Sequence, residues 1–352
     1  MKNIKVIIWG LGAMGQGAAE MLLKKKGVDI VGCIGRNQKV GKSMYDFLSV
    51  DKGDRDDVII EEADKVLTEK AADVVILCTD SFTKNAFPRM KQILEAKINC
   101  ITTAEEMAYP QAQSPDMAKE LDEIAKANGV SLLGTGINPG HIMDLLVIVM
   151  SGCCEDVDHI TARRVNSLSP FGPVVMEEQG IGLEKDDFVN KVKNKELSGH
   201  VGFPESIQMI GDAIGWPIEK VEQSMDPIVT DVDRKSKYGF AKAGNVAGVA
   251  MKGYGYVDGD MKIEMDHPQQ IEPEQVGVNT GDYVIIKGTP NINLSNEPEV
   301  PGGIGTYAVT VNMIPQIINA DPGLHTMITL PVPRAIMGDM RNQVKEDRKI
   351  IK

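Results

Sequence analysis

The chain has 352 residues, a length that predicts two domains at roughly 100 to 200 residues each. Its hydrophobic content of 42% excludes disorder as the main state. The 38 Lys and Arg against 50 Asp and Glu give a formal net charge of -12, which lacks the basic surface that nucleic-acid binding requires. We therefore expect a globular protein without a nucleic-acid partner.

Cysteine usage and apolar run lengths indicate the cellular compartment. The adjacent pair Cys153-Cys154 lacks a second group of Cys or His at the spacing of metal ligands, so we expect no metal site. The N-terminus leads directly into a short apolar strand, and no stretch approaches the ~20 apolar residues of a membrane span. The prediction is a cytoplasmic protein with no membrane partner and with reduced cysteines.

Up to about residue 135, short apolar runs alternate with amphipathic segments, which is typical of β-α-β units around a parallel sheet. Strands are predicted at residues 5–9, 30–34, 74–78, 99–102 and 130–133. A first helix is predicted to carry Lys24, Lys25 and Lys26 in its last turn and to end at Gly27, and two more are predicted at 83–96 and 114–128. We assign residues 1–137 to a Rossmann dinucleotide-binding domain.

After Asn138-Pro139-Gly140 the pattern changes to that of an α+β domain. Helices are predicted at 141–150, 185–195 and 205–214, and strands near 159–165, within 238–265 and at 283–287. The expected fold class is α/β, with the Rossmann domain followed by a substrate domain at 138–305 that contains an open mixed sheet. Residues 306–352 should begin with an apolar helix that packs back on the first domain, after a flexible Gly302-Gly303 loop.

A glycine-rich pattern follows the first predicted strand and opens the first predicted helix. In this context Gly10 permits a tight turn, Gly12 lets a pyrophosphate approach, and Gly15 lets the helix pack closely on the strand. The helix start at Ala13 and Met14 would offer N–H groups to the anion. The pattern predicts a dinucleotide site, with an unliganded tight turn as the alternative.

The end of the second predicted strand discriminates between NAD(H) and NADP(H). An Asp or Glu there would bind the ribose 2'-hydroxyl and repel a 2'-phosphate, but this sequence has Gly35-Arg36-Asn37. Arg36 could stack on adenine and pair with a 2'-phosphate, and a solvated surface arginine is the alternative. We expect NADP as the favoured cofactor and NAD as a second one.

Two further strand ends should reach the same edge of the sheet. Cys78, Thr79 and Asp80 end or follow the third predicted strand, and Thr103 follows the fourth. Ligands of open parallel sheets bind outside the carboxyl ends of the strands. We therefore expect these four residues to line the cofactor.

Two carboxylates, Glu105 and Glu106, come shortly after the strand at 99–102. Neighbouring side chains alternate in a strand and diverge by about 100° in a helix, so only one of them can address a nicotinamide. A carboxylate suits an amine substrate, because it can hold the ammonium, accept its proton and later activate water. We favour Glu106 as the catalytic base, although spacing does not decide the choice, and an acidic helix start is the alternative for both.

The segment at 134–141 joins the two predicted domains, where clefts commonly form. Asn138, Pro139, Gly140 and His141 could contact a substrate carboxylate there, and a plain linking turn is the alternative. Neither the substrate contact nor the linking turn requires a metal.

Arg163 and Arg164 lie side by side on a predicted strand, so one of them must face away from the cleft. Either could bind a carboxylate, and surface or dimer contacts are the alternative. The residues alone therefore indicate a nicotinamide oxidoreductase for a small, polar, cationic substrate. A protein of another class that binds NADP(H) without turnover, as a sensor, is the rival hypothesis.

Residues 6–15, 102–106 and 136–141 resemble the dihydrodipicolinate-reductase-like NAD(P)-dependent amine dehydrogenases. The resemblance implies oxidative deamination of a diamino acid, 2,4-diaminopentanoate, at C4 to 2-amino-4-oxopentanoate, ammonia and NAD(P)H, in ornithine fermentation. It also implies a catalytic glutamate in the second of these segments and a homodimer built through the sheet of the second domain. The His-His-Arg run and Ser-Gly-Thr turn of dihydrodipicolinate reductases themselves are absent from the sequence, which argues against the lysine-biosynthetic reaction.

Overall fold

The computed structural model describes residues 2–348. It contains two compact units, one formed by residues up to His141 and from Gly302 onward, and the other by Ile142–Pro301. The second unit is thus shorter at both ends than the segment 138–305 predicted from the sequence. Within the first unit, Gly305 packs closely against Ile137, since a β-carbon added at Gly305 would lie 2.7 Å from the Ile137 side chain.

The first unit is built on alternating strands and helices. Its strands before residue 142 are β1 (Ile4–Trp9), β2 (Val28–Ile34), β3 (Ile60–Glu61), β4 (Val74–Leu77), β5 (Asn99–Thr102) and β6 (Ser131–Gly134). Its helices there are α1 (Ala13–Leu22), α2 (Ala63–Val66), α3 (Thr83–Glu95) and α4 (Pro115–Asn128).

The second unit opens with a helix and a long strand. Its helices are α5 (Leu145–Ser151), α6 (Pro173–Glu178), α7 (Lys185–Lys193) and α8 (Phe203–Ile214). Its strands are β7 (Asp156–Ser167), β8 (Lys220–Val229), β9 (Arg234–Lys235), β10 (Phe240–Ala241), β11 (Val246–Val257), β12 (Asp260–Gln270), β13 (Gly281–Thr289) and β14 (Ile292–Asn296). The chain then returns to the first unit with α9 (Gly302–Asn312), α10 (Ile314–Asn319) and β15 (Gly323–His325).

The sheet of the first unit has the strand order β15-β6-β5-β4-β1-β2-β3 within the described residues, and every pair is parallel. Its apolar strands are buried because helices cover the sheet, and α3 and α4 contribute to one continuous core with β4 and β5. The carboxyl ends of β1, β2, β4 and β5 meet at one edge. This arrangement confirms the predicted Rossmann-type fold.

The main sheet of the second unit has the order β14-β13-β7-β12-β11-β8 in the part of the chain that the structure describes. Strands β7 and β12 pair in parallel, whereas the other neighbours are antiparallel. The predicted open mixed sheet is therefore confirmed. Glycines at alternate positions of β11 let α8 approach, since added β-carbons at Gly253 and Gly255 would lie 2.8 Å from Phe203 and 2.6 Å from Ile207.

Two helix boundaries in particular differ from the prediction. Helix α1 ends at Leu22, so the three lysines follow the helix instead of forming its last turn. Helix α5 begins only at Leu145, because the Asp144 carboxylate accepts the Leu145 N–H at 2.6 Å and fixes the start there.

The predicted C-terminal helix is two helices. Pro315 lies in the first turn of α10 and has no N–H to continue α9, so the helices separate at Met313. Gly302 and Gly303 are the first two residues of α9, and they are not a flexible loop. No helix among residues 2–348 has the length and apolar composition to span a bilayer.

Candidate active site

The glycine-rich turn connects β1 to α1, and its shape depends on close backbone approaches. Gly10 has a φ of +97°, and a β-carbon there would lie 2.5 Å from the Cys78 carbonyl oxygen. A β-carbon at Gly15 would lie 1.9 Å from the Gly10 carbonyl oxygen. Both positions therefore require glycine for the packing of the protein itself.

Gly12 differs, because a β-carbon added there would have no protein atom within 4 Å. The space beside this glycine is therefore open, next to the exposed Ala13 and the half-buried Met14 at the start of α1. The first N–H groups of a helix have no partner within the helix and attract anions. Nearby, the Thr79 hydroxyl is buried without a hydrogen-bond partner. An open cradle beside an unsatisfied hydroxyl fits the pyrophosphate and ribose of a dinucleotide.

Two side chains that the sequence analysis did not consider bind the same turn. Lys39 Nζ donates to the Leu11 carbonyl oxygen at 2.6 Å, and Gln16 Nε2 donates to the same oxygen at 3.1 Å. Lys39 lies in a 3₁₀ turn at Asn37–Lys39 just after β2. Its position after the second strand, three residues beyond Arg36, was the available sequence signal.

The end of β2 lacks an acidic residue for a steric reason. A β-carbon at Gly35 would lie 2.5 Å from the Ile60 side chain on β3, which is fully buried. Arg36 and Asn37 follow in exposed positions, with Asn37 at a φ of +55°. The guanidinium of Arg36 can therefore reach a ligand at this strand end without displacing the core.

The end of β4 contains two different environments. Burial raises the pKa of the Cys78 thiol to about 12, against a hydrogen bond with Thr103 that lowers it, so the sulfur stays protonated. Asp80 accepts hydrogen bonds from the Phe82 N–H and the Asn85 amide, both at 3.1 Å. Asp80 thus shapes the loop before α3, whereas Cys78 and the Thr79 hydroxyl lie at the strand end itself.

Glu105 and Glu106 begin a 3₁₀ turn that follows β5. The Glu106 carboxylate accepts the Thr83 N–H at the start of α3 at 2.7 Å, and its own N–H donates to the Ser81 carbonyl at 3.2 Å. Neighbouring side chains in a 3₁₀ helix diverge by about 120°. Glu105 therefore projects to a different side from Glu106, and the Glu106 carboxylate lies at the start of α3.

The backbone holds this turn in place from two sides. The Ala104 N–H donates to the Thr102 hydroxyl at 3.2 Å, and the Met107 N–H donates to the Ala104 carbonyl at 2.9 Å. A β-carbon at Gly134 on β6 would lie 2.0 Å from the Met107 carbonyl oxygen. Glu105 is thus carried by a rigid turn at the carboxyl edge of the sheet.

The turn at 138–141 ends the first part of the first unit. Pro139 and Gly140 are buried, while Asn138 and His141 are half-buried. Gly140 has a φ of +119°, and a β-carbon there would lie 2.6 Å from the Gly136 nitrogen. The turn is therefore closely packed, with its two larger polar side chains partly open to solvent.

The two neighbouring arginines of β7 have different environments. Arg164 is 2% exposed, pairs with Asp282 of β13, and donates to the Val300 carbonyl at 2.7 Å. Arg163 is 45% exposed, pairs with Asp266 at 2.9 Å, and stacks on Tyr283 at 5.6 Å. The Arg164 guanidinium is therefore buried in the core, whereas the Arg163 side chain lies on the opposite face of the sheet and is partly exposed.

Polar side chains that the sequence did not reveal surround Arg164. His267 Nε2 and Asn166 Oδ1 are 2.9 Å apart, and the ring centroid of His200 lies 4.6 Å from that of His267. Burial, together with the charge of Arg164, lowers the pKa of His200 to about 3 and lowers that of His267 well below its usual range. Both imidazoles are therefore neutral near pH 7. These residues are far apart in the sequence, so no local sequence pattern predicts that they form a cluster.

Metal chemistry has no visible basis in the described part of the chain, where no group of three His, Cys, Asp or Glu side chains is arranged to hold an ion. Cys153 is exposed, and the Cys154 thiol donates to the Pro290 carbonyl at 3.5 Å.

Comparison with known proteins first defines the class. Residues 4–135 match the oxidoreductase family with an NAD-binding Rossmann fold. Together with the glycine-rich turn, this match confirms that the chain is an NAD(P)-dependent oxidoreductase. Residues 141–346 match the 2,4-diaminopentanoate dehydrogenase C-terminal domain. The chain belongs to the 2,4-diaminopentanoate dehydrogenase family, which confirms the resemblance seen in the sequence.

Relatives along the whole chain agree with this placement. A 2,4-diaminopentanoate dehydrogenase of Acetoanaerobium sticklandii is 70% identical over 100% of both chains. An amine dehydrogenase of Streptomyces virginiae is 22% identical, over 95% of this chain and 98% of that one. The solved structure of an amine dehydrogenase from Mycobacterium smegmatis superposes with a TM-score of 0.84 at 27% identity, over 96% of this chain and 98% of that one.

Proposed function

We propose that this enzyme oxidises 2,4-diaminopentanoate at C4 to 2-amino-4-oxopentanoate and ammonia, with reduction of NAD(P), as a step in ornithine degradation. The observation that carries the proposal is the 70% identity over the full length to a 2,4-diaminopentanoate dehydrogenase. The placement of Glu105 at the carboxyl edge of the cofactor sheet supports it, because deamination requires a base at that edge.

Glu105 is the proposed catalytic base. Its carboxylate holds the C4 ammonium and takes one proton, which leaves a nitrogen lone pair that assists departure of hydride from C4. The bound nicotinamide is the hydride acceptor. Glu105 releases this first proton to solvent and then takes a proton from water as the water adds to the C4 iminium, which gives a carbinolamine. It passes that proton to the nitrogen, and ammonia leaves as the hydroxyl proton returns to Glu105 and the ketone forms.

The glycine-rich turn, Thr79 and Thr103 are the proposed contacts to the shared parts of both cofactors. Arg36 is the proposed partner of the 2'-phosphate, which makes NADP the favoured cofactor. We propose the Asn138 to His141 turn for the substrate carboxylate. Arg164 is a weaker candidate for that role because its donors bind Asp282 and Val300.

We also propose a homodimer through the open face of the mixed sheet. On β11, the residues that alternate with Gly253 and Gly255 are half-buried: Lys252, Tyr254 and Tyr256. Tyrosines are enriched at protein interfaces. Sedimentation of the purified protein, compared with a Tyr254→Arg variant, tests the dimer.

We propose a cytoplasmic location for the enzyme, and its five free thiols support this proposal.

The test of the activity is a substrate panel with either cofactor, followed by absorbance of the reduced nicotinamide. We expect reduction with 2,4-diaminopentanoate, much slower reduction with 4-aminopentanoate, and none with 2-aminopentanoate, which lacks the C4 amine. Reduction with 2-aminopentanoate instead would contradict C4 as the reacting carbon. Cofactor binding without reduction by any amine would favour the sensor hypothesis.

A further inference from the structure

Lys39 links two parts of the cofactor domain that are far apart in sequence. Its ammonium comes from the 3₁₀ turn after β2 and donates to the Leu11 carbonyl in the glycine-rich turn at 2.6 Å. The same ammonium lies 4.8 Å from the centroid of the Phe47 ring. The lysine therefore has a defined position between an aromatic face and the turn that follows β1.

The contact with Leu11 orients a particular peptide group. A trans peptide is planar, and its C=O and N–H groups point in opposite directions. Because Lys39 and Gln16 hold the Leu11 carbonyl oxygen, the Gly12 N–H of the same peptide points away from them. Gly12 is the residue whose side-chain space is open. The bond thus preorganises an amide donor at the place where a phosphate can approach.

The charge of Lys39 has no acidic partner at ion-pair distance among the residues that the structure describes. Within residues 2–348, its ammonium forms no ion pair with a carboxylate. It is half-buried, so water screens its charge only in part. An uncompensated cation beside an anion-binding turn favours a ligand with negative charge. The pyrophosphate carries such charge in both NAD and NADP.

We propose that Lys39 is a positioning residue for the phosphate-binding turn, and that it strengthens binding of both dinucleotides equally. This role differs from that of Arg36, which should act on the 2'-phosphate of NADP alone. The proposal rests on NAD(P) binding and is independent of the amine, because affinity can be measured without any substrate.

The experiment is calorimetric titration of NADP⁺ and NAD⁺ into the purified protein, without an amine. Lys39→Met removes the charge and the hydrogen bond but keeps a long side chain against Phe47. Lys42→Met is the matched control, because the Lys42 ammonium lies 6.0 Å from the same ring centroid and makes no hydrogen bond to the turn. Lys39→Arg is the conservative variant. The melting temperature of each variant is measured without cofactor.

We expect Lys39→Met to raise the Kd of both cofactors by the same factor, roughly tenfold to a hundredfold, as for loss of a hydrogen bond from a charged donor. Lys39→Arg should stay within a few-fold of the wild type, Lys42→Met should match it, and the melting temperatures should agree. A loss for NADP⁺ alone, an unchanged Kd, or an equal loss in Lys42→Met would overturn the proposal. If Lys39→Met does not fold, the Kd values of Lys39→Gln are compared with those of Lys39→Arg. The proposal is then overturned by the same results: a loss for NADP⁺ alone, an unchanged Kd, or an equal loss in Lys42→Met.

Discussion

The sheets of the two units place their polar groups in opposite ways. In the first unit, β4 is apolar and fully buried, and the polar residues of the site follow the strands in turns. In the second unit, Arg164 and Asp282 lie inside the sheet as direct neighbours on β7 and β13, only 2% and 1% exposed. A parallel sheet covered on both faces leaves chemistry to its strand ends. A buried ion pair holds only while both partners are present.

From this contrast we expect substitutions in the two units to have different effects. Changes in the turns of the first unit should alter catalysis or cofactor affinity and leave stability nearly intact. Changes to the buried polar groups of the second unit should alter stability first. Each of the following predictions tests one side of that contrast.

The largest effect should come from Glu105→Gln. The amide keeps the shape of the side chain but cannot accept the proton, so kcat should fall by ~10² to 10⁴. The Kd of NADP⁺ and the melting temperature should change little. Steady-state kinetics beside cofactor titration check this, and near wild-type turnover would place the base elsewhere.

A comparable effect, on stability, should come from Arg164→Met. Removal of one partner leaves the Asp282 carboxylate buried without its cation, which typically costs ~3 to 5 kcal/mol of the free energy of unfolding. Arg163→Met is the matched control and should cost less than ~1 kcal/mol, because the pair of Arg163 with Asp266 is partly open to solvent. Urea unfolding of both variants measures the difference. Full stability with lost activity in Arg164→Met would instead indicate a role in the site.

Acid should destabilise the protein through the buried imidazoles. The pKa of His200 is about 3 in the folded protein, and that of His267 is also lowered, so both bind protons more readily when unfolded. Stability should be complete above pH ~6.5 and fall as the pH drops toward 3, by up to ~1.4 kcal/mol per pH unit for each imidazole. Urea unfolding at several pH values measures this slope. His267→Gln should flatten it, and an unchanged slope would assign the acid sensitivity to other groups.

Arg36→Ala should weaken NADP⁺ binding by ~1 to 3 kcal/mol through loss of a charge-assisted pair. NAD⁺ lacks the 2'-phosphate and should bind as before. Titration of both cofactors gives the comparison directly. Equal losses of affinity for the two cofactors would contradict the assignment of Arg36 to the 2'-phosphate.

The smallest effect should come from Glu106→Gln, the matched control for Glu105→Gln. A neutral amide can still accept the Thr83 N–H, but it loses the favourable charge at the start of α3, a loss of ~0.3 to 1 kcal/mol. Thermal unfolding measures this change. Turnover should remain near that of the wild type, and a loss as large as in Glu105→Gln would give the catalytic role to Glu106.

Local sequence signals were strong in the first unit. The apolar runs predicted β1, β2, β4, β5 and β6 to within about two residues, because strands covered on both faces need nearly every side chain apolar. The pattern was weaker where short elements add to an edge, and β3 and β15 were not predicted. The C-terminal apolar stretch was read as one helix, since periodicity does not register the missing N–H of Pro315.

The sequence by itself determined the cofactor turn, because Gly10, Gly12 and Gly15 are spaced along one short segment and their chemistry depends on local backbone freedom. Only the tertiary structure showed the surroundings of Glu106, whose carboxylate accepts the Thr83 N–H on another element. It likewise separated Arg163 from Arg164. Adjacent residues in a strand face opposite sides, and which side is the core depends on strands and helices that lie more than a hundred residues away.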